Sequence, residues 1–345
     1  MKLITIIGAR PQFIKSSIVS KSISQIKGLD ETIIHTGQHF DRTMSGIFFD
    51  ELQITKPKYN LNINQMNHGE MTGRMMIEIE KILIIENPDG ILVYGDTNST
   101  LAGSICAAKL DIPIFHIEAG LRSYNRSMPE EINRILTDHL SSLLFCPTLN
   151  AFNTLKKEGI TSGVIFSGDV MYDLFLKNRK KTNNIGYSYV IATIHRPVNT
   201  DNPKTLSSII KSLEKINKSK KVIFPAHPRT IKKMEEYGIT TNIKIISPLN
   251  YFEMINYLSQ ADIVITDSGG VQKESFFAKT KCLTIRNETE WVELVDAGVN
   301  ILCKPYQNEI FEAYKKLSIN ECDFNLNLYG NGNAASKIVK AIIEF

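Results

Sequence analysis

The chain has 345 residues, 43% hydrophobic and 22% charged, the profile of a soluble globular protein with room for two domains that each bury a core. Its net charge of +4, from 40 Lys+Arg against 36 Asp+Glu, is too balanced to point to nucleic acid. Five scattered cysteines without a CxxC pair fit free thiols in a reducing compartment, and no run of 18 apolar residues offers a membrane span, so the cytoplasm is the expected location.

The opening Met1–Gly8 is too short an apolar run for a signal peptide and predicts a buried strand over Leu3–Ile7. Phe13, Ile14, Ser17 and Ile18 follow at helical spacing. Short apolar runs predict further strands at 32–36, 91–94, 114–117, 143–146 and 164–166. The stretch Leu174–Tyr187, with Lys177, Arg179, Lys180, Lys181, Asn183, Asn184 and Gly186, is polar, basic and without periodicity, and predicts a linker. The strands then restart at 189–193, 222–225, 243–246, 263–266, 282–285 and 300–303, and Leu206, Ile209, Ile210, Leu213 and Ile216 mark a helix among them. Strands this apolar are buried on both faces, and their alternation with helices means parallel sheets. The expectation is an α/β protein of two doubly wound domains, 1–173 and 174–333, facing across a cleft. A final helix at 334–345 is expected to pack back on the first.

In open parallel sheets ligands bind outside the carboxyl ends of the strands. Here those ends carry Gly8-Ala9-Arg10-Pro11, Gly95-Asp96-Thr97 and His116-Ile117-Glu118-Ala119-Gly120-Leu121-Arg122 in the first half. The second half has His195-Arg196, His227-Pro228-Arg229 and Asp267-Ser268-Gly269-Gly270. Recurrent Asp, Glu, His and Arg favour a polar cleft over ordinary solvated turns. At Asp267–Glu274 two glycines precede what reads as an amphipathic helix, whose first N–H groups can take a phosphate, with Asp267 or Ser268 as its cap. Arg10 can reach a diphosphate, and Lys15, a turn on, either assists or is solvated surface. Glu290 can take ribose hydroxyls, although Glu288 or Glu293 would serve as well.

Asp96 and Glu118 end separate strands and can approach one another. Pro129 can open a helix on which Glu131 shares the buried side with Ile135, while Glu130 projects elsewhere and pairs with Arg134 at i+4. Three acids and His227 could supply proton donors and acceptors of separated pKa. No HxxxH, cysteine cluster or dense acidic motif argues for a metal, and Gly8–Phe13 is not the GxGxxG of a dinucleotide cofactor site. No cofactor is expected.

Gly8–Lys15, Thr36-Gly37-Gln38-His39, Gly95-Asp96-Thr97, His116–Arg122, Met128–Arg134, His227-Pro228-Arg229 and Thr266–Gly270 occur in order over nearly the whole chain. Together they resemble the motifs of the non-hydrolysing UDP-N-acetylglucosamine 2-epimerases. The resemblance implies a GT-B-type fold of two Rossmann-like domains, usually a homodimer, with a UDP-sugar as substrate. It also implies anti elimination of UDP to a 2-acetamidoglucal and re-addition of UDP, a step in surface-polysaccharide precursor synthesis. By resemblance the acid/base residues are Asp96, Glu118, Glu131 and His227. The UDP contacts are Arg10, Lys15, Ser268, Gly269, Gly270 and Glu290, and Arg122, His195 and Glu274 join them as substrate-binding candidates. A retaining glycosyltransferase of the same fold and a hydrolysing 2-epimerase are the alternatives.

The chain departs from the family's usual pattern in three places. His195-Arg196-Pro197-Val198-Asn199 stands where many members have His-Arg-Arg-Glu-Asn, and Asn67-His68-Gly69-Glu70 lacks an Arg. Both positions belong to an activating second-substrate site in bacterial members, so activation by UDP-N-acetylglucosamine is not expected. Thr289-Glu290-Trp291-Val292-Glu293 replaces Glu-Arg-Pro-Glu and, with Gln12-Phe13, resembles the subgroup acting on UDP-2,3-diacetamido-2,3-dideoxyglucuronate.

Overall fold

The computed structural model describes residues 1–38, 55–179 and 185–345; His39, Lys180, Lys181, Asn183 and Asn184 lie outside these ranges. The described residues form two units, Met1–Leu174 with Asn327–Phe345, and Phe175–Leu326.

In the first unit the strands are β1 (Lys2–Ile7), β2 (Asp30–His35), β3 (Tyr59–Asn60), β4 (Gly90–Tyr94), β5 (Ile114–Ile117), β6 (Leu143–Cys146) and β7 (Val164–Phe166). They lie in the order β3-β2-β1-β4-β5-β6-β7, all parallel. Successive side chains of β1 divide between the sheet faces, Leu3 and Ile7 into one cluster and Ile4 and Ile6 into another, which is why the strand reads as an unbroken apolar run. The helix Ala334–Glu344 closes the first of these clusters through Ala335, Ile338 and Ile342, beside Phe13 and Val19 of the helix Arg10–Ile23. Asp173 accepts a 2.8 Å bond from the Ala335 N–H at its start.

The second unit repeats the plan with β8 (Val190–Thr193), β9 (Val222–Pro225), β10 (Lys244–Ile246), β11 (Ile263–Thr266), β12 (Lys281–Ile285) and β13 (Asn300–Cys303), in the order β10-β9-β8-β11-β12-β13. Leu206, Ile209, Ile210, Leu213 and Ile216 form the buried side of the helix Pro203–Asn217.

The expected strands are present to within two residues at each end, and the two-residue β3 is too short to leave an apolar run. Two expectations need correction. The stretch from Leu174 to Asn178 is not linker but the end of the helix Val170–Asn178, where Leu174 and Phe175 are buried. The helix Gly269–Phe277 is not amphipathic: every residue from Val271 to Phe277 is buried. Its polar members are matched inside the unit, Gln272 accepting from Thr289 at 2.8 Å and Asn300 at 3.0 Å, and Ser275 donating to the Val271 carbonyl.

The strand order reverses between β1 and β4 in one unit and between β8 and β11 in the other. The turns that follow these strands are therefore the favoured ligand positions of each unit.

Candidate active site

In the first unit three turns are tied together around the β1/β4 reversal. Gly8 leaves β1 where a side chain has no room: an added Cβ would lie 2.1 Å from Thr36 Oγ1 and 2.2 Å from Ser99 Oγ. Gln12, in the first turn of the helix Arg10–Ile23, accepts from the N–H groups of Gly8 (2.8 Å) and Ala9 (3.0 Å). Its amide nitrogen donates to the Tyr94 carbonyl (2.8 Å) and to Thr97 and Thr100 (3.0 and 2.9 Å), so one buried side chain fixes the turn after β1 against the turn after β4.

Lys15, on the same helix, is buried and forms an ion pair with Glu118 in the turn after β5. An added Cβ on Gly95 would lie 3.5 Å from Lys15 Nζ, which places the ammonium beside the Asp96 turn as well. Lys15 is thus a buried cation paired with Glu118 rather than solvated surface. Glu118 has φ +74°, a left-handed backbone that a non-glycine residue adopts at a cost.

The helix Pro129–Leu140 supplies the rest. Glu131 is 1% exposed and accepts from the N–H groups of Ser123 (2.9 Å) and Tyr124 (2.8 Å), the Ser123 hydroxyl (3.0 Å) and Arg134 (2.8 Å). Burial acts to raise its pKa, but the Ser123 N–H, Arg134 and the Tyr124 N–H outweigh it and hold the carboxyl below its ordinary value. Arg134 spans from Glu131 to Asp96, 2.6 Å away. The pairing of Glu130 with Arg134 expected from i+4 spacing is not formed, because Glu130 is exposed while Arg134 is turned inward to these two acids. Asn133 donates to the Asp96 carbonyl at 2.8 Å.

Arg122 also faces inward. Its guanidinium bonds Asp138 (2.7 Å), the Leu121 carbonyl (2.7 Å) and both oxygens of Glu158 (2.9 and 2.6 Å), with 2% of the side chain exposed. Expected among the substrate contacts, it instead braces its own turn. Asp138 is fully buried; burial acts to raise its pKa, and His116 and Arg122 hold it low.

In the second unit Asp267, at the end of β11, accepts from the N–H groups of His195 and Arg196 and from Asn199, and lies 3.1 Å from the His195 ring. It joins the turns after β8 and β11 and leaves the cap of the next helix to Ser268. Burial acts to raise the Asp267 pKa, and the His195 ring and its other donors hold it low. His227 caps the helix Pro228–Glu236, its Nδ1 accepting from the Arg229 N–H, and its ring lies 5.9 Å from that of His195. At Gly269 an added Cβ would lie 2.5 Å from Glu290 Oε1, so Glu290, paired with Arg286 at 2.9 Å, reaches over the helix start. Glu293 is packed inside the unit, and Glu274 lies below Gly270, whose added Cβ would be 4.0 Å from its carboxylate. Among the described residues no group of three His, Cys, Asp or Glu side chains is placed to hold a metal.

A family model described as UDP-N-acetylglucosamine 2-epimerase matches residues 21–343. The chain belongs to that family. It is 49% identical, over the full length of both chains, to the UDP-2,3-diacetamido-2,3-dideoxy-D-glucuronate 2-epimerase of Pseudomonas aeruginosa. It is 42% identical to the UDP-N-acetylglucosamine 2-epimerase of Methanocaldococcus jannaschii, over 99% of each. A crystal structure of the M. jannaschii UDP-GlcNAc 2-epimerase in complex with UDP-GlcNAc and UDP matches all of both chains with a TM-score of 0.92 at 41% identity. The fold is of GT-B type, with two Rossmann-like parallel-sheet domains.

Two features that set this 2-epimerase apart in sequence are internal. Gln12 is 1% exposed and occupied by the turns it joins, and Trp291 is 2% exposed beneath Lys273, whose ammonium lies 4.1 Å from the indole centre. Both side chains pack the turns of their own units. Sequence reading passed over Gln12, Asn133, Arg134 and Asp138 as site-builders. The available signal was a polar residue on the buried side of a helix, as with Gln12 and Asp138.

Proposed function

We propose that the protein inverts C2 of a UDP-2-acetamido sugar by eliminating and re-adding UDP. The C1–O bond breaks with its electron pair leaving on UDP, the C2 proton passes to a carboxylate, and a C1=C2 double bond forms. Re-addition returns a proton to the opposite face of C2. Support comes from two ion pairs on the turns after β4 and β5, Arg134–Asp96 and Lys15–Glu118, in a chain 49% identical throughout to a UDP-sugar 2-epimerase.

In this reading Asp96 and Glu118 carry the proton transfers at C2. Glu131, whose oxygens already accept four hydrogen bonds, keeps Arg134 in place. His227 acts through Nε2. The N–H groups and dipole at Ser268–Gly270 take the diphosphate, and Glu290 takes the ribose. The proposed substrate is UDP-2,3-diacetamido-2,3-dideoxyglucuronate, supported by the P. aeruginosa relative, with UDP-N-acetylglucosamine as the second candidate, supported by the M. jannaschii structure. The product is proposed to serve as a surface-polysaccharide precursor in the cytoplasm. No helix among the described residues is long and apolar enough to cross a membrane.

A homodimer is part of the proposal. The helices His68–Glu86, Asn98–Lys109 and Pro129–Leu140 pack side by side and expose Ile77, Ile84, Ile132, Leu136 and Leu140. At ~10 Å spacing and lengths of ~28, ~18 and ~18 Å they form a face on the order of 650 Å², approaching the ~800 Å² that one partner contributes to a standard interface.

Proton NMR in D₂O with each nucleotide sugar tests the function. Deuterium at C2 together with a manno-configured product in one tube establishes the epimerase and selects its substrate. Tight UDP binding without exchange in either tube would overturn the reading in favour of a glycosyltransferase.

A further inference from the structure

We infer that Asp138 is a positioning residue which sets the placement of Asp96 relative to Glu118; this rests on the reading of those two acids as the proton-transfer groups. A single buried carboxylate holds both turns. Asp138 Oδ1 lies 2.7 Å from His116 Nδ1, and His116 Nε2 donates to the Gly95 carbonyl at 2.8 Å, one residue before Asp96. Asp138 Oδ2 accepts from the Gly120 N–H at 3.1 Å and from Arg122 at 2.7 Å, two and four residues after Glu118. Glu158 completes the assembly from the far side of Arg122.

Asp138, His116 and Arg122 are all at most 5% exposed, so none of them is offered to substrate. The assembly lies under the two turns and hangs from the helix Pro129–Leu140, which also carries Glu131 and Arg134. The acids after β4 and β5 are thereby referred to one helix as a common base. A proton taken from one face of C2 and returned to the other requires two acids at a fixed separation, and misplacement by about 1 Å can cost on the order of 100-fold in rate.

The test is C2 exchange kinetics on the full-length protein, with active sites counted by UDP titration. Asp138→Asn keeps the shape and leaves Glu158 opposite Arg122; we expect kcat per UDP site to fall by about 100-fold with KM within about twofold. His116→Gln and His116→Asn form a second pair. A glutamine amide reproduces the donor at Nε2 toward Gly95, whereas asparagine reproduces only that at Nδ1 toward Asp138, so the Gln variant should retain about tenfold more activity. Glu86→Gln removes a buried carboxylate paired with Lys2 and Lys58 elsewhere in the unit, and should lower Tm with kcat unchanged. Asp138→Asn with unaltered kcat per site, equal activity of the two His116 variants, or an equal kcat loss in Glu86→Gln would each overturn the inference. Near-normal exchange in both Asp96→Asn and Glu118→Gln would instead remove the reading on which it rests.

Discussion

Glu118 is held in an unfavourable backbone conformation and in an ion pair with a buried lysine, and both features make sense if its carboxylate must sit at one place. Glu118→Gln should abolish C2 exchange and leave UDP affinity within about twofold, checked by NMR and isothermal titration, since exchange needs the carboxylate and the proposed UDP contacts do not include it. Glu131→Gln should act differently. It takes the negative charge from beside Arg134 and leaves one of the two backbone N–H groups, Ser123 or Tyr124, facing an amide NH2, so it should lower Tm as well as kcat. Such residue-scale roles were only partly legible in the sequence. The identities Asp96, Glu118 and Glu131 stood out because acids at the ends of apolar strands, or at the edge of a core, demand a reason. Their partners did not stand out. Helical spacing nominated Glu130 for Arg134 at i+4, but Arg134 turned inward to Glu131 at i+3 and to Asp96 in the turn after β4, and no local pattern encodes the second of these. For Arg122 the position in the turn was visible, and the inward course of its side chain toward Asp138 and Glu158 was not.

Among the elements, the strands were easily read because both of their faces are buried and the apolar run has no interruption. The helix Gly269–Phe277 was misjudged because its polar residues suggested a wet face, whereas Gln272, Lys273 and Ser275 are buried and matched inside. Ser268 at its start can cap and bind at once. Ser268→Ala should cost about 1 kcal/mol of stability through the lost cap and weaken UDP in titration. The helix Pro129–Leu140 has two working sides: Glu131, Arg134 and Asp138 inward, Ile132, Leu136 and Leu140 outward. Replacing Ile132 and Leu136 together by Lys should yield a monomer in sedimentation velocity and lower Tm only by what dimerisation contributes, since neither side chain is buried within the chain; a persisting dimer would place the interface on another face.

Across the whole molecule, acid should be the destabilising direction. Lys2, Lys58 and Tyr59 hold Glu86 at about 2, below an ordinary value of 4.5. A depressed carboxyl contributes stability that is complete above its unfolded value and is lost as pH falls through the folded one. Glu86→Gln should therefore flatten the dependence of Tm on pH between 4.5 and about 2 and leave its slope near neutrality unchanged. Burial raises the thiols of Cys106 and Cys282 to about 11 and of Cys303 to about 12, and that of Cys146 further. Of the five, the partly exposed Cys322, whose thiol burial also raises, should react first with a thiol reagent in the native protein.

The first unit is assembled from two stretches of chain, with the whole of the second unit lying between them. The ribosome therefore completes Phe175–Leu326 before it makes the helix Ala334–Glu344 that covers Phe13 and Val19. Until then the nascent first unit carries an open apolar side, while the second already has every residue of its own cores. Biogenesis should thus run out of sequence order, with the later-coded unit able to mature first and the earlier-coded one dependent on chaperones for longer.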